Sequence, residues 1–119
     1  MNQEELLTFI LDSLDEDKAV DPVVIDLAGK TSFADHMVLV SGTSQRHLTT
    51  MAEKLLARLK ASGVEGQAEG LNGSDWVLID TGDVIVHLFR PEVRILYNLE
   101  KLWGVALPEG VALAAGMRA

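Results

Sequence analysis

No cysteine occurs anywhere in the 119 residues. There can therefore be no disulfide, no zinc–thiolate centre and no thiol nucleophile, and folding calls for no oxidising compartment. Basic residues are scarce too: ten Lys and Arg stand against eighteen Asp and Glu, a formal net charge of −8. Nucleic-acid binders gather cations into a stripe that displaces counterions, whereas an acidic domain is repelled by phosphates. The balance argues against sequence-specific nucleic-acid binding and for a basic protein partner. No apolar run reaches the roughly 18 residues of a membrane span. The opening residues Met1-Asn2-Gln3-Glu4-Glu5 are acidic, where a signal peptide is basic and a transit peptide is rich in Arg and Ser. These absences lead us to expect a soluble, untargeted cytoplasmic protein.

What is present is a residue content 48% hydrophobic, in a chain of single-domain length that can bury roughly 65% of its unfolded surface. Asn2 is a plausible N-cap, and Leu6, Phe9, Ile10 and Leu14 form the stripe of an amphipathic helix. The stripe ends at Asp15–Lys18, and Asp21-Pro22 breaks the helix before a strand at Val23, Val24, Ile25 and Leu27. Met37–Val40 is a continuous apolar run closed by Ser41-Gly42, the pattern of a central strand buried on both faces. Thr43 or Ser44 then caps a helix carrying Leu48, Met51, Ala52, Leu55, Leu56 and Leu59, which Ser62-Gly63 stops.

Between Val64 and Ser74 at most a short strand is expected, near Gln67–Glu69. Trp76–Ile79 and Val84–Phe89 flank Asp80-Thr81-Gly82-Asp83 as a hairpin. Pro91 opens a last helix with Ile95, Leu96, Leu99, Leu102 and Trp103 on one side, and the segment after Pro108 has no useful periodicity. The sum is an α/β class, a single domain with a mixed β-sheet covered by helices. The domain is expected over residues 1–104, with a flexible C-terminal tail over 105–119.

Three groups of residues invite a chemical reading. The loop Ser41-Gly42-Thr43-Ser44 joins a strand to a helix, where backbone N–H groups can hold an anion. No phosphate-loop lysine accompanies it, and Gly with a Ser or Thr cap serves such a turn structurally. His47 and His87, with Asp75, Asp80 and Asp83 on or beside the hairpin, could ligate a metal. No His-x-x-His or Glu-x-x-His pair supports that, and Asp is common in turns because it bonds its own backbone. We therefore expect no metal and no cofactor. Strand alternation places Trp76, Leu78 and Asp80 on one sheet face and Val77 and Ile79 on the other, the better core face. Trp76 and Leu78 then either meet solvent or a partner, or lie beneath a terminal helix.

Several blocks together resemble the ribosomal silencing factor family, also called Iojap-like. They are Ala34-Asp35-His36-Met37, Ser41–Ser44 with Arg46-His47, Glu69-Gly70, the stretch from Asp75 to His87, and Tyr97–Trp103. The match runs in register from about residue 5 to Trp103, with His36 where the family usually has an aromatic. The resemblance implies a nucleotidyltransferase-like fold, often homodimeric in solution. It implies a factor that binds the large ribosomal subunit through large-subunit ribosomal protein fourteen, blocks association with the small subunit and represses translation when nutrients are scarce. The partner-binding positions it carries over are Trp76, Leu78, Asp80, Gly82, Asp83, His87 and Tyr97.

The fold relation also raises an alternative, a nucleotidyltransferase-like enzyme that binds phosphate or a nucleotide. Such chemistry needs Mg²⁺ between closely spaced carboxylates and a Gly-Ser phosphate loop. Gly42-Thr43-Ser44 is half of that loop. No Asp-x-Asp or Asp-x-Glu pair follows on a strand, so the reading adopted is a binding factor without catalytic residues.

Overall fold

The computed structural model describes residues 1–27 and 34–92. Helix α1 spans Gln3–Glu16 and opens on a capping box. The Asn2 side chain accepts from the Glu5 backbone N–H at 2.8 Å, and the Glu5 carboxylate accepts from the Asn2 N–H at 3.0 Å. Strand β1 follows at Val20–Asp26, then β2 at His36–Ser41, α2 at Gln45–Ala61, β3 at Gln67–Glu69, β4 at Trp76–Asp80 and β5 at Val84–Phe89. The strands form one sheet in the order β1-β2-β5-β4-β3. Only β2 and β5 run parallel; the other neighbours are antiparallel.

Strand β1 starts three residues before the expected position. Asp21 takes φ +48° and the pairing with β2 shifts register between Val20 and Val23, so Asp21-Pro22 sits in a bulge instead of ending an element. A bulge on an edge strand tolerates this because no ladder bond is required of the residue that has no N–H. The apolar run of β2 is buried along its length, as expected for an interior strand. The short β3, the hairpin of β4 and β5, the Ser44 cap of α2 and its end at Ala61 also fall where the pattern put them. Pro91 and Glu92 are helical, where the last helix is expected to open; the rest of that helix and the boundary at residue 104 lie outside the described residues.

The sheet has two buried faces. Val38, Val40, Val77, Ile79, Val84, Val86 and Leu88 pack against Leu6, Ile10 and Leu14 of α1 and the apolar stripe of α2. Met37, Leu39, Leu78, Ile85 and Phe89 belong to a second cluster on the reverse face, with Leu27 and Ala34, and Trp76 packs against it.

The two helices are joined electrostatically. Helix α1 has no basic residue in its last turn, and α2 supplies the missing cations. Arg58 donates to the Ser13 carbonyl at 3.1 Å, to the Ser13 hydroxyl at 2.8 Å and to the Asp17 carboxylate at 2.8 Å, while Lys54 lies 3.4 Å from Asp17.

Candidate functional site

The pleat of the hairpin decides which side chains can act together. Trp76 pairs with Phe89, Leu78 with His87 and Asp80 with Ile85. These six therefore share the reverse face, away from α1 and α2. On that face Leu78 is 7% exposed and His87 is fully buried; α1 lies on the other face, and the C-terminal helix expected as a cover lies outside the described residues. Trp76 is half-buried at the end of the strand.

The indole of Trp76 is held from two sides. Its Nε1–H donates to His87 Nδ1 at 2.8 Å, so that nitrogen carries no proton and serves as acceptor. The Trp76 and Phe89 ring centroids lie 5.4 Å apart at 53°, and Trp76 and His87 lie 5.6 Å apart at 59°, tilted arrangements favoured by aromatic quadrupoles. The backbone is confined as well. Gly70 follows β3 at φ +87°, and a Cβ there would stand 2.3 Å from the Trp76 carbonyl oxygen, so only glycine lets the chain pass at that distance.

Asp75, Asp80 and Asp83 do not gather around Trp76 as one cluster. Asp75 sits at the Trp76 end, accepting from Gln45 at 3.0 Å and lying 3.4 Å from Arg90. Asp80 and Asp83 occupy the turn at the other end of the hairpin, roughly 17 Å away along the strand. There the Asp80 carboxylate accepts from the Gly82 N–H at 2.8 Å, and Gly82 itself takes φ +93°. That is the turn chemistry that favours Asp and Gly. Asp83 is exposed, and its carbonyl accepts from the Asp35 and His36 N–H groups at 2.8 and 3.2 Å, fastening the turn to the start of β2. Tyr97 lies outside the described residues.

The loop before α2 is occupied by internal bonds. The Gly42 N–H donates to the Phe89 carbonyl at 3.1 Å, the Thr43 N–H to His47 Nδ1 at 2.9 Å and the His47 N–H to the Ser44 hydroxyl at 3.0 Å. His47 Nε2 donates to the Asp17 carbonyl at 2.8 Å, so one ring nitrogen ties α2 to the end of α1 while the other holds the loop. The loop lies at the Ser41 and Phe89 end of the parallel pair, opposite the carboxylates of the Asp80–Asp83 turn. Among the described residues no three His, Asp or Glu converge as a metal site would require.

Three contributors were not singled out from the sequence. Phe89 backs Trp76, and the hairpin register, set by where the turn falls, is the signal that would have found it. Gln45 and Arg90 hold Asp75 from distant segments, and no local pattern marks them.

Comparison with known proteins places this geometry. The model of the family described as ribosomal silencing factor during starvation matches residues 1–115. A ribosomal silencing factor of Zymomonas mobilis is 56% identical over 102 residues, covering 85% of this chain and 77% of that protein. A mouse protein named for mitochondrial assembly of the ribosomal large subunit is 35% identical over 101 residues, 82% of this chain and 44% of its own length. A crystal structure from Chromobacterium violaceum superposes with a TM-score of 0.84 at 34% identity, covering 87% of this chain and 88% of that one. By sequence and by fold, the chain belongs to the ribosomal silencing factor family.

Proposed function

We propose that the chain represses translation by binding the large ribosomal subunit through large-subunit ribosomal protein fourteen, on the surface that the small subunit needs. The observation that carries this reading is Trp76, a tryptophan held half-buried at the rim of a packed sheet face. Such a ring offers a partner a large apolar contact, and aromatic anchors of that kind dominate interface energies. Family membership supports a ribosomal target, and the name of the mouse relative supports the large subunit. Trp76, Asp80, Gly82, Asp83 and Tyr97 are the proposed contact positions, with Leu78 and His87 acting from beneath the surface.

The mechanism is occupancy. A domain of this size can cover about 800 Å² of a partner, enough for a specific interface, and the space it fills is then closed to the other subunit. The excess of carboxylates speeds encounter with a basic ribosomal protein, and the apolar ring supplies affinity. We propose that the factor works in the cytoplasm, is homodimeric when free and needs no cofactor or catalytic step. Co-sedimentation with separated ribosomal subunits tests the target, with subunit joining measured in the same preparation. The chain is expected to pellet with large subunits and to lower joining. Pelleting with small subunits, or large-subunit binding that leaves joining unchanged, overturns the proposal.

A further inference from the structure

We propose that His87 is a positioning residue for Trp76: it never touches the partner, yet it presets the indole in the orientation that the partner binds. The inference rests on the reading of the Trp76 face as the large-subunit contact and goes beyond it, because it assigns a role to a buried side chain.

The argument begins with the pleat. His87 stands opposite Leu78, so Trp76, two residues earlier on β4, is its diagonal neighbour on the same face. Long aromatic side chains can reach across such a diagonal. An indole at a strand end turns about χ1 and χ2, and the second torsion has broad wells. Packing against Phe89 restricts tilt, but a ring contact alone does not select one edge of the indole. The bond from Nε1–H to His87 Nδ1 at 2.8 Å does, because rotating the ring about χ2 by half a turn would carry Nε1 away from its acceptor. His87 is fully buried and packed against Phe89, with ring centroids 6.2 Å apart at 26°, so the acceptor is itself fixed. The geometry couples a buried acceptor, a conformation-selecting hydrogen bond and the half-buried ring that it aims.

A preset side chain has already lost the freedom that binding would otherwise remove. Releasing it is expected to weaken binding about three- to tenfold. The experiment measures affinity for purified large ribosomal subunits and, in parallel, the ¹H–¹⁵N signal of the indole that is absent from the spectrum of Trp76→Phe. His87→Leu removes the acceptor. It is expected to shift that signal and lower affinity by this factor, and His87→Asn, whose amide oxygen can accept, is expected to restore much of both. Trp76→Phe keeps a ring over Phe89 but has no donor, and it should lose affinity to a similar degree even if His87→Leu fails to fold. In the Trp76→Phe background His87→Leu should have no further effect on binding.

Wild-type affinity in Trp76→Phe, or in a folded His87→Leu whose indole signal has moved, overturns the proposal. So does an equal loss from His87→Leu with and without the indole donor, since His87 would then act through general stability. If Trp76→Ala itself binds like the wild type, the reading of the face fails first, and that outcome is distinct from both.

Discussion

At the scale of single residues, the hairpin separates the side chains proposed to meet a partner from the buried ones beneath them. Leu78 shares a strand face with Trp76 but is 7% exposed and belongs to the reverse-face core. Leu78→Ala should therefore destabilise the fold by about 2–4 kcal/mol, the cost of lost burial and a cavity, and its urea midpoint is the measurement. Trp76→Ala should instead weaken large-subunit binding by about 2–4 kcal/mol, and wild-type occupancy in co-sedimentation would contradict it. For Asp80 substitution can separate the bond it makes in the turn from the steering role proposed for its charge. Its carboxylate accepts from the Gly82 N–H, so Asp80→Asn keeps an acceptor for the turn and removes one charge. Association with large subunits should then slow most at low salt, since steering is screened as ionic strength rises. Equal rates at every ionic strength in stopped-flow mixing would reject a steering role. Alternation along β4 is enough to group Trp76, Leu78 and Asp80 on one face, but it does not say what is buried. Burial is a property of the folded sheet, in which Leu78 clusters with Met37 and Leu39 of β2 and Ile85 and Phe89 of β5.

The elements of this fold are largely legible in local sequence, and their meeting points are not. Asn2 and Glu5 announce the start of α1, Ser44 that of α2, and the apolar run Met37–Val40 an interior strand. The bulge at Asp21-Pro22 escapes such reading, because a proline looks like a stop until an edge position makes it harmless. The contact between the helices escapes it for another reason. Arg58 meets Ser13 and Asp17 from more than forty residues away, and in the sequence it is one cation on a polar face. The Asp17 side chain is only 8% exposed, so removing its partner leaves a carboxylate that solvent reaches poorly. Arg58→Met is expected to cost about 1–2 kcal/mol, moderated because Lys54 stays within 3.4 Å. Arg58→Lys should recover only part of it, since all three acceptors are met at Nη1 and the shorter lysine side chain does not carry its ammonium to that position. Denaturant midpoints of the two variants give the comparison. Gly70 makes the same point on the other side of the sheet. Gly70→Ala should be strongly destabilising, because the new methyl would meet the Trp76 carbonyl oxygen in a backbone conformation that L residues rarely adopt.

For the whole molecule, the arrangement of charge and loop bears on two ways of acting, by occupancy or by catalysis. The net charge of −8 is distributed: Asp75 sits at one end of the hairpin, Asp80 and Asp83 at the other, and Glu4, Glu5, Asp12, Asp15 and Glu16 on α1. A nucleotide-transfer site would need its carboxylates together beside the Gly42–Ser44 loop; of the three hairpin aspartates Asp75 is at that end, bonded to Gln45 and 3.4 Å from Arg90, and the Asp80–Asp83 turn stands at the opposite end of the parallel pair. The N–H groups of Gly42, Thr43 and His47 are already bonded within the protein. The proposed action by occupancy has a quantitative signature. A blocker that acts by occupancy inhibits in proportion to the fraction of large subunits it covers, so subunit joining should fall linearly with added factor and level off near one copy per large subunit. A catalyst that modified subunits would inhibit far below that ratio, with an extent that grows with incubation time. Titrating the chain into a fixed amount of large subunits, at concentrations well above the binding constant and at two incubation times, separates the two. A break near equivalence that does not move with time is the expected result. Inhibition completed by a small fraction of an equivalent would show that occupancy is not the mechanism and would return the loop before α2 to consideration.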